Sequence, residues 1–312
     1  MVNGILVGVD GSEAALTAVA YAASEAQRQD LPLHLLHVVA AGWLLHRAAP
    51  RSLGSLADEY QRGGRVALAE ARRSARAILG NQPVATSMQT GDRVRCLVRA
   101  AREESLVVLG NERRGLLDRL VTGSVVNGVA AHSPAPVIVV PDTWTPTTVH
   151  DRVVVGVKDY DSCEGLIRHG LAVAAGRGAR LHVLHACDYP PAYDPGVAAV
   201  VPIDLWLDEA RAALSAALSG VAGEFPQVAA DIGVEQGQPA RRLLLASARA
   251  DLLLLERRGH LLPIGHLGGT ARALLRDAHC PVEVLPAVRE VRSDDLVLEK
   301  DGGIEKAVLH VD

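Results

Sequence analysis

The chain carries one pattern twice, and that repeat limits what it can fold into more than any single motif does. Ile5-Leu6-Val7-Gly8-Val9-Asp10 returns as Val153-Val154-Val155-Gly156-Val157-Lys158, 148 residues later. Leu33-His34-Leu35-Leu36-His37-Val38 returns at the same spacing as Leu181-His182-Val183-Leu184-His185-Ala186. Thr90-Gly91-Asp92 faces Gln236-Gly237-Gln238, and Gly123-Ser124 faces Gly269-Thr270, both 146 residues on. Ala131-His132-Ser133-Pro134 is answered by Ala278-His279-Cys280-Pro281. Landmarks in one order at a nearly constant spacing define two copies of one unit, and such a repeat has to be recognised before a fold is assigned. The reading places a first domain at 1–141, a second at 151–286 and a tail at 287–312. Pro141–Thr148, with two prolines and a polar run, reads as the linker. The tail matches nothing in the first copy, and its Ala307–Val311 run is expected to form an edge strand.

Within each copy, short apolar runs alternate with Ala/Arg/Leu-rich helical stretches. In the first copy strands are expected near 5–9, 33–39, 84–89, 106–109 and 136–140, and helices over 13–28, 56–79, 93–103 and 124–132. Leu106-Val107-Val108-Leu109 is apolar on both faces, as a parallel strand covered by helices on both sides must be. Alternating β and α elements with right-handed crossovers predict an α/β fold: two tandem, doubly wound, parallel-sheet domains. In such sheets a ligand sits beyond the strand carboxyl ends, where the strand order reverses.

A hydrophobic content of 49% with 22% charged residues is enough for a globular core. The net charge of -4 argues against nucleic acid as the main partner, because phosphate neutralisation needs a basic surface. Cys96, Cys163, Cys187 and Cys280 form no C-x-x-C pair, so neither a zinc cluster nor a redox couple is indicated. No basic stretch leads an apolar run at the N-terminus, and no apolar run approaches the roughly 18 residues of a membrane span. A soluble cytoplasmic protein with no membrane partner is expected.

Two segments carry the chemistry. Gly8-Val9-Asp10-Gly11-Ser12-Glu13 joins the first strand to the first helix. Ser12 or Asp10 is a candidate helix cap, and a carboxylate just past a strand end can accept hydrogen bonds from a ribose or an adenine amine. Gly110-Asn111-Glu112-Arg113 follows the fourth strand, and Gly123-Ser124-Val125 opens the next helix. Amides there would face an anion at a helix N-terminus. A plain turn and cap remains the alternative for both. The strand histidines, His34 with His37 and His182 with His185, are three residues apart and so fall on opposite strand faces, which disfavours a shared metal. No G-x-S-x-G elbow is present for triad chemistry.

These residues resemble the universal stress protein family in its tandem-domain bacterial form, over about 1–141 and 151–286. The opening V-G-V-D-G-S-E stands at Val7–Glu13. The family's loop pattern is Gly, two residues, Gly, nine residues, Gly, then Ser or Thr. Gly110, Gly123 and Ser124 match it in the first copy, with Arg113 at the middle glycine. Gly259, Gly269 and Thr270 match in the second, with Glu256 at the first glycine and Lys158 at the Asp10 position. The resemblance implies an adenine-nucleotide α-hydrolase-like fold with strand order 3-2-1-4-5 and a site for ATP or AMP, with Mg²⁺ as a possible companion. It implies a first-copy site of Gly8, Asp10, Val38, Val39, Gly110, Arg113, Gly123, Ser124 and Val125. Asp10 would meet the adenosine and Val38 and Val39 the adenine. Gly110, Gly123, Ser124 and Val125 would hold ribose and phosphates. The Arg113 guanidinium would either pair with phosphate or turn to solvent. Gly259, Gly269 and Thr270 are the remnant in the second copy, where Lys158 and Glu256 are expected either to pair across the empty pocket or to be independent losses.

A regulatory nucleotide binder of the stress response follows, with a nucleotide-independent protein scaffold or a slow ATPase as alternatives. No P-loop lysine and no positioned general base is evident, so turnover is expected to be weak at most. The resemblance also implies that the last strands, 136–140 and 282–285, join the copies as an internal pseudo-dimer. A further homodimer and a regulatory protein partner are left open by the sequence.

Overall fold

The computed structural model describes residues 4–40, 53–112, 123–187, 203–257, 267–286, 296–301 and 304–309. The first half runs β1 (Ile5–Gly8), α1 (Glu13–Gln29), β2 (Leu33–Ala40), α2 (Leu53–Leu79), β3 (Val84–Gly91), α3 (Arg93–Ala100), β4 (Leu106–Asn111), α4 (Gly123–His132) and β5 (Val137–Pro141). The second repeats that order with β6 (Arg152–Val157), α5 (Glu164–Arg177), β7 (Arg180–Cys187), α6 (Ile203–Ala222), β8 (Ala230–Gln236), α7 (Pro239–Ser247), β9 (Leu252–Glu256), α8 (Gly269–Asp277) and β10 (Val282–Leu285). Arg113 and Gly259 lie outside the described residues.

All ten strands form one sheet in the order β3-β2-β1-β4-β5-β10-β9-β6-β7-β8. Each half therefore has the order 3-2-1-4-5, and β1 and β4 flank its reversal point. The halves meet where β5 and β10 pair antiparallel, with Val282 opposite Val139 and Val284 opposite Val137. Side chains on the central strands alternate between two cores. Ile5 and Val7 join the cluster under α1, α2, α5 and α6. Leu6 joins the one under α3, α4, α7 and α8. Both cores run across the two halves, so burial and backbone pairing unite them.

Two reciprocal contacts strengthen that junction. Asn111, at the end of β4, donates from Nδ2 to the Leu275 carbonyl at 2.7 Å, near the C-terminus of α8. Arg257, at the equivalent place after β9, donates from Nη1 to the carbonyls of Ala131 at 2.7 Å and Ser133 at 3.1 Å, at the C-terminus of α4. A cation there also complements the helix dipole. On the opposite sheet face Arg177 of α5 bonds to Tyr21 and Glu25 of α1, and Trp144 of the linker stands edge-on to Tyr21. Burial opposes the charge on Glu25, but the guanidinium groups of Arg177 and then Arg28 outweigh it and hold the carboxyl below its ordinary value.

The tail departs from its expectation. Residues Leu296–Asp301 (β11) and Ile304–Leu309 (β12) pair antiparallel as a separate two-stranded sheet. The strand begins before Ala307, at Ile304, which pairs with Asp301. It therefore does not lie at the edge of the large sheet.

Candidate functional site

The site is built where the main chain leaves β1. Gly11 has φ of +88°, a left-handed turn open to glycine at little cost. That turn lets Ser12 cap α1: its Oγ accepts from Ala15 N at 3.1 Å. Asp10 does not cap the helix itself. Its Oδ1 accepts from Ser12 N at 3.0 Å and Ser12 Oγ at 2.6 Å, so one carboxylate oxygen fixes the turn. Beside it, His37 donates from Nδ1 to the Val9 carbonyl at 2.7 Å, which seats the imidazole against the end of β1. His185 makes the same bond to Val157 at 3.0 Å in the second half. The matching pair supports a structural place for this histidine.

Past these strand ends opens a cleft of about 840 Å³. Asp10 and Gly11 line it from the β1 turn, and His37, Val38, Val39 and Ala40 from β2. Helix α2 supplies a second wall, from Glu59 to Glu70, and Arg93 stands at the start of α3. The structure thus brings Asp10, Val38 and Val39 together. Sequence reasoning did not assign the α2 wall or Arg93. The signal for α2 was the pair Gly63-Gly64, out of place in a helix interior, where each glycine costs about 1 kcal/mol relative to alanine.

The other named positions have different surroundings. Gly8 is in β1, where a Cβ would stand 2.7 Å from Leu109. Gly110 is more tightly constrained: a Cβ there would lie 2.2 Å from the Ala14 carbonyl oxygen and 2.4 Å from its carbon. Both glycines therefore serve packing, Gly110 by letting β4 press against the first turn of α1. Gly123 and Ser124 open α4, one residue before the expected start, and Val125 is partly buried against the core beneath it. Gly269 opens α8 with its surface exposed, and Thr270 is half-buried. Neither Gly110 nor Val125 is among the described lining of the cleft.

In the second half the equivalent place is built otherwise. Helix α5 starts at Glu164, three residues later than the repeat would place it, and a short 3-10 turn, Tyr160–Ser162, fills the gap. Tyr160 stands edge-on to His185 with ring centroids 5.5 Å apart, and the turn packs on α6. Glu256 occupies the Gly110 position, where a side chain would strike α1 in the first half. The later start of α5 is what makes room for it. Strands β6 and β9 are neighbours as expected, but no ion pair between Lys158 and Glu256 is found among the described residues. The expected pair is therefore not seen: both side chains are exposed, and the neighbouring Tyr160 turn packs on His185 and α6.

A ten-stranded, doubly wound sheet whose halves each carry the order 3-2-1-4-5, with a cleft past the β1 and β2 ends, defines a tandem α/β protein with its cleft where such sheets take ligands. The universal stress protein family signature matches this chain twice, over 1–141 and 150–286. The chain belongs to that family, which places it among proteins with a role in stress response. It is similar to a universal stress protein of Mycobacterium tuberculosis, 32% identical over 306 residues, covering 90% of this chain and 94% of that one. A universal stress protein of Mycolicibacterium smegmatis is 29% identical over 296 residues, covering 90% and 96%. The fold is similar to the crystal structure of a universal stress protein from Archaeoglobus fulgidus, with TM-score 0.66, 19% identity and coverage of 92% of this chain and 99% of that chain. Among the described residues no helix is long and apolar enough to cross a membrane.

Proposed function

We propose that the first half binds an adenine nucleotide, ATP or AMP, and that occupancy rather than turnover is the regulatory signal in the stress response. The observation that carries this reading is the cleft itself: Asp10, Val38 and Val39 share it, at the carboxyl ends of β1 and β2 beside the reversal of strand order. An aliphatic floor with a carboxylate at its rim suits a nucleoside, whose base is apolar on its faces and whose ribose and amine donate hydrogen bonds. The phosphates extend toward the amides of Gly123, Ser124 and Val125 at the start of α4, where the helix end favours an anion. Arg113 adds a cation at that loop, and a bound ATP would bring Mg²⁺ with it. In this reading the second half does not bind nucleotide, because Lys158 and Glu256 replace Asp10 and Gly110 there and the Tyr160 turn packs beside His185.

Calorimetric titration with ATP, AMP and cyclic AMP tests the reading. Saturable binding at one site per chain is expected, weakened tenfold or more by Asp10→Ala. Absence of binding at millimolar nucleotide would leave the fold as a protein scaffold and end the proposal.

A further inference from the structure

Helix α2 has two adjacent glycines in its interior, Gly63 and Gly64, where alanine would stabilise the helix. One has a packing reason. A Cβ on Gly64 would lie 2.6 Å from His37 Cδ2 and 2.8 Å from its Nε2, and His37 is fixed by its bond to Val9. The other has none: no described atom comes within 4 Å of a Cβ placed on Gly63. What Gly63 faces is the cleft, whose wall it forms with Tyr60, Val66 and Ala67. Tyr60 and Val66 are 54% and 62% exposed, large apolar groups at the rim of that opening.

The second half serves as an internal control. At the 146-residue spacing, Gly63 and Gly64 correspond to Glu209 and Ala210, and Tyr60 to Trp206. Ala210 is buried in step with Leu214, Ala217 and Val221, as Gly64 is with Leu68, Ala71 and Ala75, so the alignment of the two helices holds. Where the Tyr160 turn packs on the equivalent helix, that helix carries ordinary side chains. Glycine at 63 accompanies the open cleft and is not required by the fold.

We propose that Gly63 is a ligand-contacting position, and that an aminopurine base lies flat against the bare backbone of α2 there, with Val38 and Val39 as the strand-side wall and Tyr60 at the rim. The inference rests on the nucleotide reading above and extends it to α2. Charge assigns the base, not the phosphates, to this wall. Among the described residues that line it, the charged ones are three carboxylates, Asp10, Glu59 and Glu70, against Arg93. Such a rim repels polyphosphate but accepts hydrogen bonds from an exocyclic amine. The phosphates therefore point away from α2.

The test compares wild type with Gly63→Leu by thermal melting without ligand and by titration with ATP and inosine triphosphate, which differ in the base amine. Leucine at an exposed helix position favours the helix, so Gly63→Leu is expected to melt at or above wild type while binding ATP at least tenfold more weakly. Wild type is expected to prefer ATP to inosine triphosphate by tenfold or more. Equal ATP affinity in the two proteins would overturn the α2 wall and leave the nucleotide reading standing. A melting point of Gly63→Leu well below wild type would make the glycine structural and likewise overturn it. Equal binding of the two triphosphates would overturn the aminopurine assignment. Failure of wild type to bind either would remove the nucleotide reading and this inference together.

Discussion

The two halves share strand order, core alternation and the histidine bond that closes the end of the first strand, yet they build the segment after that strand differently. In the first, Gly110 lets β4 touch the backbone of Ala14, α1 begins at Glu13, and the space between β2 and α2 stays open. In the second, Glu256 stands at the Gly110 position, α5 begins a turn late, and Tyr160 packs on His185. One side chain at a strand end thus goes with a shifted helix start, and the shifted segment packs on His185 and α6. The lesson is that the loop glycine acts through packing as well as through any ligand: it sets where the next helix can begin.

The largest effect expected from this contrast is at its origin. Gly110→Ala places a methyl group inside contact distance of the Ala14 backbone, which cannot move without shifting α1. A loss of about 3 kcal/mol in urea denaturation is expected, the upper part of the range for overpacking. Glu256→Gly in the second half is expected to change stability by about 1 kcal/mol or less, as for exposed strand positions. If both changes proved mild, the packing role of Gly110 would fail.

Much of this was legible in the sequence. The repeat gave the duplication, and apolar runs such as Leu106–Leu109 marked parallel strands to within a residue or two, because burial on both faces leaves little choice of residue. Asp10, Val38 and Val39 were legible as neighbours because strand carboxyl ends converge in this fold. The α2 wall was not, since its apolar period was already explained by the core and only Gly63-Gly64 broke the pattern. Glycine in a motif also does not say what approaches it. At Gly110 the structure shows a helix backbone in close approach, a packing reason that stands beside the ribose and phosphate contact implied by the resemblance. The three-residue delay in the start of α5 was not legible, because it is a packing outcome that no local motif encodes.

The reciprocal junction offers a second, smaller contrast. Arg257 and Asn111 occupy equivalent positions and grip equivalent helix ends, one with a charge and one without. Burial lowers the pKa of Arg257, but the guanidinium stays charged throughout the accessible range. Arg257→Ala should cost about 2 kcal/mol, in the range for charge-assisted hydrogen bonds, and Asn111→Ala about 1 kcal/mol. Chemical denaturation of both variants checks the order. Equal losses would mean that the charge at the end of α4 contributes nothing beyond a neutral bond.

The smallest expected effect separates the halves by pH. Position 21 in α1 is a tyrosine, and its counterpart in α5 is His169, which bonds through Nε2 to Glu283 Oε1 at 2.9 Å. Burial disfavours the imidazolium, but the hydrogen bond and charge of Glu283 outweigh it, so the His169 pKa is raised. A histidine whose pKa rises on folding stabilises the folded state fully below its unfolded value of about 6.5. That contribution fades as pH climbs through the raised folded value. Its size should be about 1 kcal/mol or less, because the imidazole is partly exposed and solvent screens it. Melting curves of wild type and His169→Gln between pH 5.5 and 8.5 should therefore converge as pH rises, with wild type ahead at the acid end. Tyr21→Phe should show no such slope across the same window, because burial raises the tyrosine pKa well above its ordinary value and it stays protonated. A wild-type advantage over His169→Gln that grew with pH would reverse the sign and exclude a protonated His169 as the partner of Glu283.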